Sequence, residues 1–122
     1  MAAMPFLHRA LFVLACVLGL AGVAAAAGSA HGGGGSQLGS AAQMLLAHAG
    51  TAVALLVAFR GSRLGLLSVA VMEGGVARFS ADMASRAFRS EALFPSAAPF
   101  GGVLVIGAWI LAALVAVSRR QP

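Results

Sequence analysis

From Ala10 to Phe59 no residue of this chain carries a formal charge. A hydrocarbon core takes about 20 helical residues per crossing, so the run holds two crossings and is too apolar for the surface of a soluble domain. Something must divide it. The divider is "GSAHGGGGSQLGS", Gly28 to Ser40, whose glycines and serines disfavour helix and suit a short turn between two segments.

The rest of the chain repeats the pattern. "AAQMLLAHAGTAVALLVAF" ends at Arg60, "LGLLSVAVM" follows Arg63 and then takes on Glu73, Arg78 and Asp82, and "FGGVLVIGAWILAALVAV" runs clean to Arg119. The whole is 61% apolar and 9% charged, against about one quarter charged in soluble domains. These features predict an all-α membrane protein, a single domain over residues 1–122. Its expected fold is an antiparallel bundle of four transmembrane helices over residues 6–27, 41–59, 64–83 and 100–117, because in lipid only helices or closed barrels satisfy the backbone and period-two alternation is absent. Small residues recur four apart as Gly50, Ala54 and Ala58 and as Ala108, Ala112 and Ala116, which offers flat faces for close helix approach.

The net charge of +5 comes from eight arginines against three acids. On a soluble chain this would suggest nucleic acid, but all the arginines except Arg78, which lies inside an apolar run, border such runs and have no aromatics interleaved, so they read as topology signals and exclude a nucleic-acid partner. With the N-terminus inside, Arg9, Arg60, Arg63, Arg119 and Arg120 lie on the cytoplasmic side and Arg86 and Arg89 outside, which predicts both termini in the cytoplasm of a bacterial inner membrane. One cysteine, Cys16, rules out an internal disulfide and a multi-cysteine metal site.

The first segment has a second reading. Arg9, the apolar run to Leu20 and "AAAAGSA" together form a fair signal-peptide pattern with several A-x-A cleavage sites. Against it, the apolar stretch continues to Ala27, longer than the ~7 to 15 residues of a signal core.

"SAHG" at Ser29 to Gly32, "MLLAHAGTAVALL" around His48, "GGVARFSADM" around Phe79 and "APFGGVLVIGAW" from Ala98 to Trp109 resemble, in order, the motifs of the small bacterial membrane family catalogued as domain of unknown function 423. Its relatives include a short four-helix animal transmembrane protein. The resemblance covers roughly residues 11–117 and is most specific at Pro99, Gly101, Gly102 and Trp109; Ser29, Ala47 and Ala108 depart from the family's usual residues. It implies a retained first helix followed by a turn containing His31 and Gly32, and carries no biochemical activity with it.

Within the bundle the polar candidates are His48, Glu73, Arg78 and Asp82, since intramembrane ionisable residues are costly and mark function by default. His48 has a bland alternative as a neutral hydrogen-bonding link between helices. Arg78, Asp82 and Arg86 are spaced to form an ion ladder on one helical face; their alternative is that the third helix ends early and the ladder lies at the surface. His31 reads as a turn or cap residue and Trp109 as a packing or interface anchor. Counted from Arg60 and Arg63, His48 and Glu73 lie about 18 and 15 Å deep at 1.5 Å per residue, so the two are expected to pair across neighbouring helices.

No catalytic constellation, phosphate loop, metal set or cofactor motif is present. The expectation is a non-enzymatic membrane protein acting as a structural or interaction module, with the lipid bilayer, a homo-oligomer or another membrane protein as partner. Its rival is a small oligomeric carrier or channel with a polar path through His48, Glu73 and Arg78. A retained first helix predicts that protein purified from membranes has the intact mass of the full chain; a mature chain beginning near Gly28 or His31 would exclude the four-helix reading.

Overall fold

The computed structural model describes residues 3–33 and 35–119, all of them helical or in short connections. Four helices follow one another: α1 (Ala3–His31), α2 (Gly35–Ala58), α3 (Arg63–Arg89) and α4 (Ala97–Ser118). Each is long and apolar enough to cross a membrane. No strand occurs among the described residues.

The first connection is shorter than the Gly28–Ser40 stretch suggested. α1 continues through Gly28 and Ser29 to His31, and α2 starts at Gly35. Among the described residues of this connection, Gly33 and Gly35 take the left-handed backbone that favours glycine. Gly28 and Gly39 let the helices close on each other: a Cβ at Gly28 would lie 2.9 Å from Leu38 Cδ1, and one at Gly39 would lie 3.2 Å from Ser29 Oγ. The Ser29 hydroxyl then clasps the turn by donating to the Gly35 carbonyl at 2.9 Å.

α3 is unbroken to Arg89, beyond the early ending that its charges allowed. Ser62 caps its start, accepting the Gly65 N–H on its hydroxyl at 3.0 Å, and Ser90 ends it in the left-handed conformation. Pro99 stands in the first turn of α4, where its missing N–H has no helical partner to lose.

α1 packs on α2, α2 on α3 and α3 on α4, with α1 also touching α3; no comparable contact joins α1 to α4. The arrangement is therefore an open bundle, with α2 and α3 central. At the end where α1 begins and α4 finishes, the Nε2 of His8 donates to the Leu56 carbonyl at 3.0 Å. There too Arg119 donates to the Ala58 carbonyl at 3.2 Å, placing a cation on the negative end of α2. Leu11, Ala15, Ala52, Leu56, Leu66 and Val69 fill this half, joining α1, α2 and α3. Arg120 of the topology count lies outside the described residues.

The tightest crossing joins α3 to α4. A Cβ at Gly75 would stand 2.7 Å from the Gly101 carbonyl oxygen, and one at Gly101 would stand 2.7 Å from the Gly75 carbonyl oxygen. Each helix thus puts its backbone against the other's, the close approach that small residues permit in membrane helices. Val105, Ala108, Ala112 and Val115 continue the buried face of α4. On α2, by contrast, Gly50, Ala54 and Ala58 all face outward, and the packed face is Ala42, Leu45, Ala49, Ala52 and Leu56.

This geometry predicts opposite outcomes for neighbouring glycines. Gly75→Ala or Gly101→Ala should cost about 1–3 kcal/mol by forcing the helices apart. Gly74→Ala and Gly102→Ala meet nothing within 4 Å and should be neutral or gain up to about 1 kcal/mol from helix propensity. Unfolding in detergent followed by circular dichroism measures all four.

Candidate functional site

α3 carries the polar residues, and helical geometry divides them between two faces. At 100° per residue, Gly75, Arg78 and Asp82 look towards α4 and its connection, while Glu73, Ala77, Ser80 and Ala84 line the opposite side, towards α1 and α2. The buried set of α3 fits this division, since Val69, Met72, Val76, Glu73 and Ser80 are all enclosed.

On the α4 side each polar residue has a partner. Asp82 is fully buried; its Oδ2 accepts from Arg86 Nε at 2.9 Å and its Oδ1 from the Leu93 N–H at 2.7 Å. Beside it the Ser85 hydroxyl donates to the Glu91 carbonyl at 2.8 Å. Asp82 is thus a buried clamp that fixes the α3–α4 connection, rather than a member of a surface ladder. Only one rung of the expected ladder exists, Asp82 with Arg86. Arg78 leaves the row and lays its guanidinium 4.9 Å from the centroid of the Phe100 ring, a cation–π contact with α4. No sequence signal marks Asp82 as the acceptor for an amide eleven positions on, because that pairing depends on how the loop folds back.

His48 is held by two bonds. An indole N–H can only donate, so the 3.2 Å contact from Trp109 Nε1 makes His48 Nε2 an acceptor. The ring proton is then on Nδ1, which donates to the Met44 carbonyl one turn earlier at 2.9 Å. The rings meet edge to face with centroids 6.0 Å apart. His48 therefore links α2 to α4, and the expected pairing with Glu73 does not form. Matched depth placed the two residues at one level but said nothing of their direction around the helix, and direction decides the partner.

Glu73 is 1% exposed, and neither of its carboxyl oxygens has a hydrogen-bond partner. Ser80, 7% exposed and two turns further along the same face, likewise has an unpartnered Oγ. That is unusual within this chain. Thr51, Ser68 and Ser118 all donate to a carbonyl of the preceding turn, the common way for a hydroxyl to satisfy itself in a helix.

Of the other expected residues, His31 ends α1 in an exposed position, Gly32 donates its N–H to the Gly28 carbonyl at 2.9 Å, and Gly101 forms the crossing with Gly75. Pro99 and Gly102 belong to the exposed and half-buried first turns of α4. Among the described residues no cluster of three or more His, Cys, Asp or Glu side chains could hold a metal ion. No family model, curated protein or solved structure matches this chain.

If Trp109 is the true partner of His48, a double-mutant cycle of His48→Ala with Trp109→Phe should give a coupling of about 0.6–1.7 kcal/mol. The cycle of His48→Ala with Glu73→Gln should be additive to within about 0.5 kcal/mol. Unfolding in detergent reads both; a larger coupling to Glu73 would restore the pairing expected from depth.

Proposed function

We propose that this chain is a non-enzymatic integral protein of the bacterial inner membrane, with both termini in the cytoplasm, and that it acts as a structural or interaction module in the bilayer. The observation that carries this reading is the use made of its polar side chains. Asp82, Arg86, Ser85, His48, Trp109 and Arg119 are each engaged in joining helices or their connections, which is what a scaffold requires.

The arginine distribution supports the orientation, since Arg60, Arg63 and Arg119 gather at one end of the bundle and Arg86 and Arg89 at the other. The resemblance noted in the sequence agrees with a small four-helix membrane protein. Its partners are the lipid bilayer and a second membrane component, another copy or a different protein.

The carrier or channel reading keeps one supporting observation, the unpartnered carboxyl of Glu73. It loses its path. His48 is occupied by Trp109, and Arg78 points away from Glu73 to stack on Phe100. Proteoliposomes loaded with a pH-sensitive dye decide between the two. The scaffold predicts proton and small-ion flux equal to that of protein-free vesicles, for the native chain and for Glu73→Gln alike. Flux that the native chain supports and Glu73→Gln abolishes would establish the carrier instead.

A further inference from the structure

The two ends of the bundle treat their arginines differently. At the end where α3 finishes, each arginine has a carboxylate of the chain itself: Arg86 Nε lies 2.9 Å from Asp82 and Arg89 lies 3.6 Å from Glu91. The chain has three acidic side chains, and the third, Glu73, is enclosed about 15 Å along α3 from Arg63. The end where α2 finishes therefore has arginines and no carboxylate side chain to offset them.

The fold concentrates those arginines on one turn. α1 brings Arg9 there, because its neighbour His8 donates to the Leu56 carbonyl at 3.0 Å. α4 brings Arg119, whose Nη1 donates to the Ala58 carbonyl at 3.2 Å and whose Nη2 stands 3.5 Å from the carbonyl of Arg60. Arg60 itself follows in the α2–α3 turn, and all three side chains are exposed. The carbonyls at the end of α2 offset part of the Arg119 charge, but Arg9 and Arg60 add to it. A topology signal needs arginines near helix ends; it does not need three elements to converge on one turn. Like charges gathered this closely favour an anion between them.

Position selects the anion. Arg9 and Arg60 stand at the two limits of the charge-free run from Ala10 to Phe59, which is the level of the lipid headgroups when that run lies in the bilayer. The abundant anion at that level is a phosphate with acyl chains below it, and a guanidinium fork matches phosphate geometry.

We infer that this end of the bundle binds the headgroup of an anionic phospholipid, its phosphate held by Arg60 and Arg119 with Arg9 adding to the same field. The inference rests on the reading of the chain as a membrane-embedded interaction module and names the chemistry of one partner.

The chain contains its own reporter. Trp109, the single tryptophan, is exposed and bonds His48 of α2 as Arg119 bonds the end of α2, so both lie on the α2 side of α4. Ten residues separate them, about 15 Å along α4, so the acyl chains of a lipid held at Arg119 reach the level of the indole. The full chain is reconstituted in phosphatidylcholine vesicles, and Trp109 fluorescence is titrated with chain-brominated phosphatidylglycerol or chain-brominated phosphatidylcholine as quencher.

The anionic lipid should quench at about 5- to 25-fold lower mole fraction than the zwitterionic one, the worth of one to two arginines at a membrane surface. Arg60→Gln, which keeps the backbone carbonyl near Arg119, should lower that preference about 5-fold. Arg89→Gln removes the same charge from the opposite end and should leave the preference unchanged. Sodium phosphate and sodium chloride at equal ionic strength should weaken it equally. Circular dichroism checks that both variants fold. Equal quenching by the two lipids, or a preference that survives Arg60→Gln or falls as far with Arg89→Gln, would overturn the inference and leave the scaffold reading standing. A greater loss in phosphate than in chloride would make the ligand a soluble phosphate and overturn the lipid assignment. A chain that fails to enter vesicles would overturn both readings.

Discussion

The reciprocal contact of Gly75 with Gly101 determines most of what surrounds it. With each backbone carbonyl 2.7 Å from where the other's side chain would begin, α3 and α4 cannot be displaced or rotated without separating. That fixes which side of α3 meets α4. Arg78 is then carried over Phe100, and Asp82 is brought beneath the returning loop where the Leu93 amide finds it. The same contact draws α4 along α3 and away from α1, so the α1–α3 side of the bundle has no fourth wall. One glycine pair thus accounts both for the tight half of the molecule and for its open one.

The four segments were legible in the sequence because span length and charge exclusion are one-dimensional properties, written directly in runs such as Ala10 to Phe59. Helix ends were less legible. Gly28, Ser29 and Gly39 have the composition of a loop, yet α1 continues through two of them, and their small size serves the packing of α1 on α2. The ion ladder failed for a related reason: spacing shows that Arg78, Asp82 and Arg86 share a face, but it cannot show that a ring and a loop amide compete for two of them. His48 was placed at the right depth and given the wrong partner, since the choice between Glu73 and Trp109 depends on rotation about the axes of α2 and α3. Small-residue spacing carried the same ambiguity. It marked a real interface at Ala108 and Ala112, while Ala116 of the same row and Gly50, Ala54 and Ala58 all face outward.

Polar groups in an apolar bundle are costly unless bonded, and the ways in which this chain bonds them follow a pattern. Those at helix ends reach the last carbonyls of a neighbour, as His8 and Arg119 do on α2. Those within helices bond either their own preceding turn or a side chain across the crossing, as Thr51, Ser68 and His48 do. Asp82, the most demanding of them, has one oxygen on a guanidinium and the other on an amide. Removing either donor would leave a buried charge partly bare, the most damaging form of a broken pair.

Glu73 and Ser80 stand outside this pattern, and their position gives the exception meaning. Both belong to the face of α3 turned from α4, both are enclosed, and neither is bonded. A serine in that place could return its hydroxyl to the preceding turn, as three other hydroxyls in this chain do, or be replaced by alanine with little change of volume. Alanine does occupy the neighbouring wall at Ala77, Ala81 and Ala84. A hydroxyl kept among those alanines contributes nothing to helix packing, so the face that holds it is the part of the fold least explained by self-assembly.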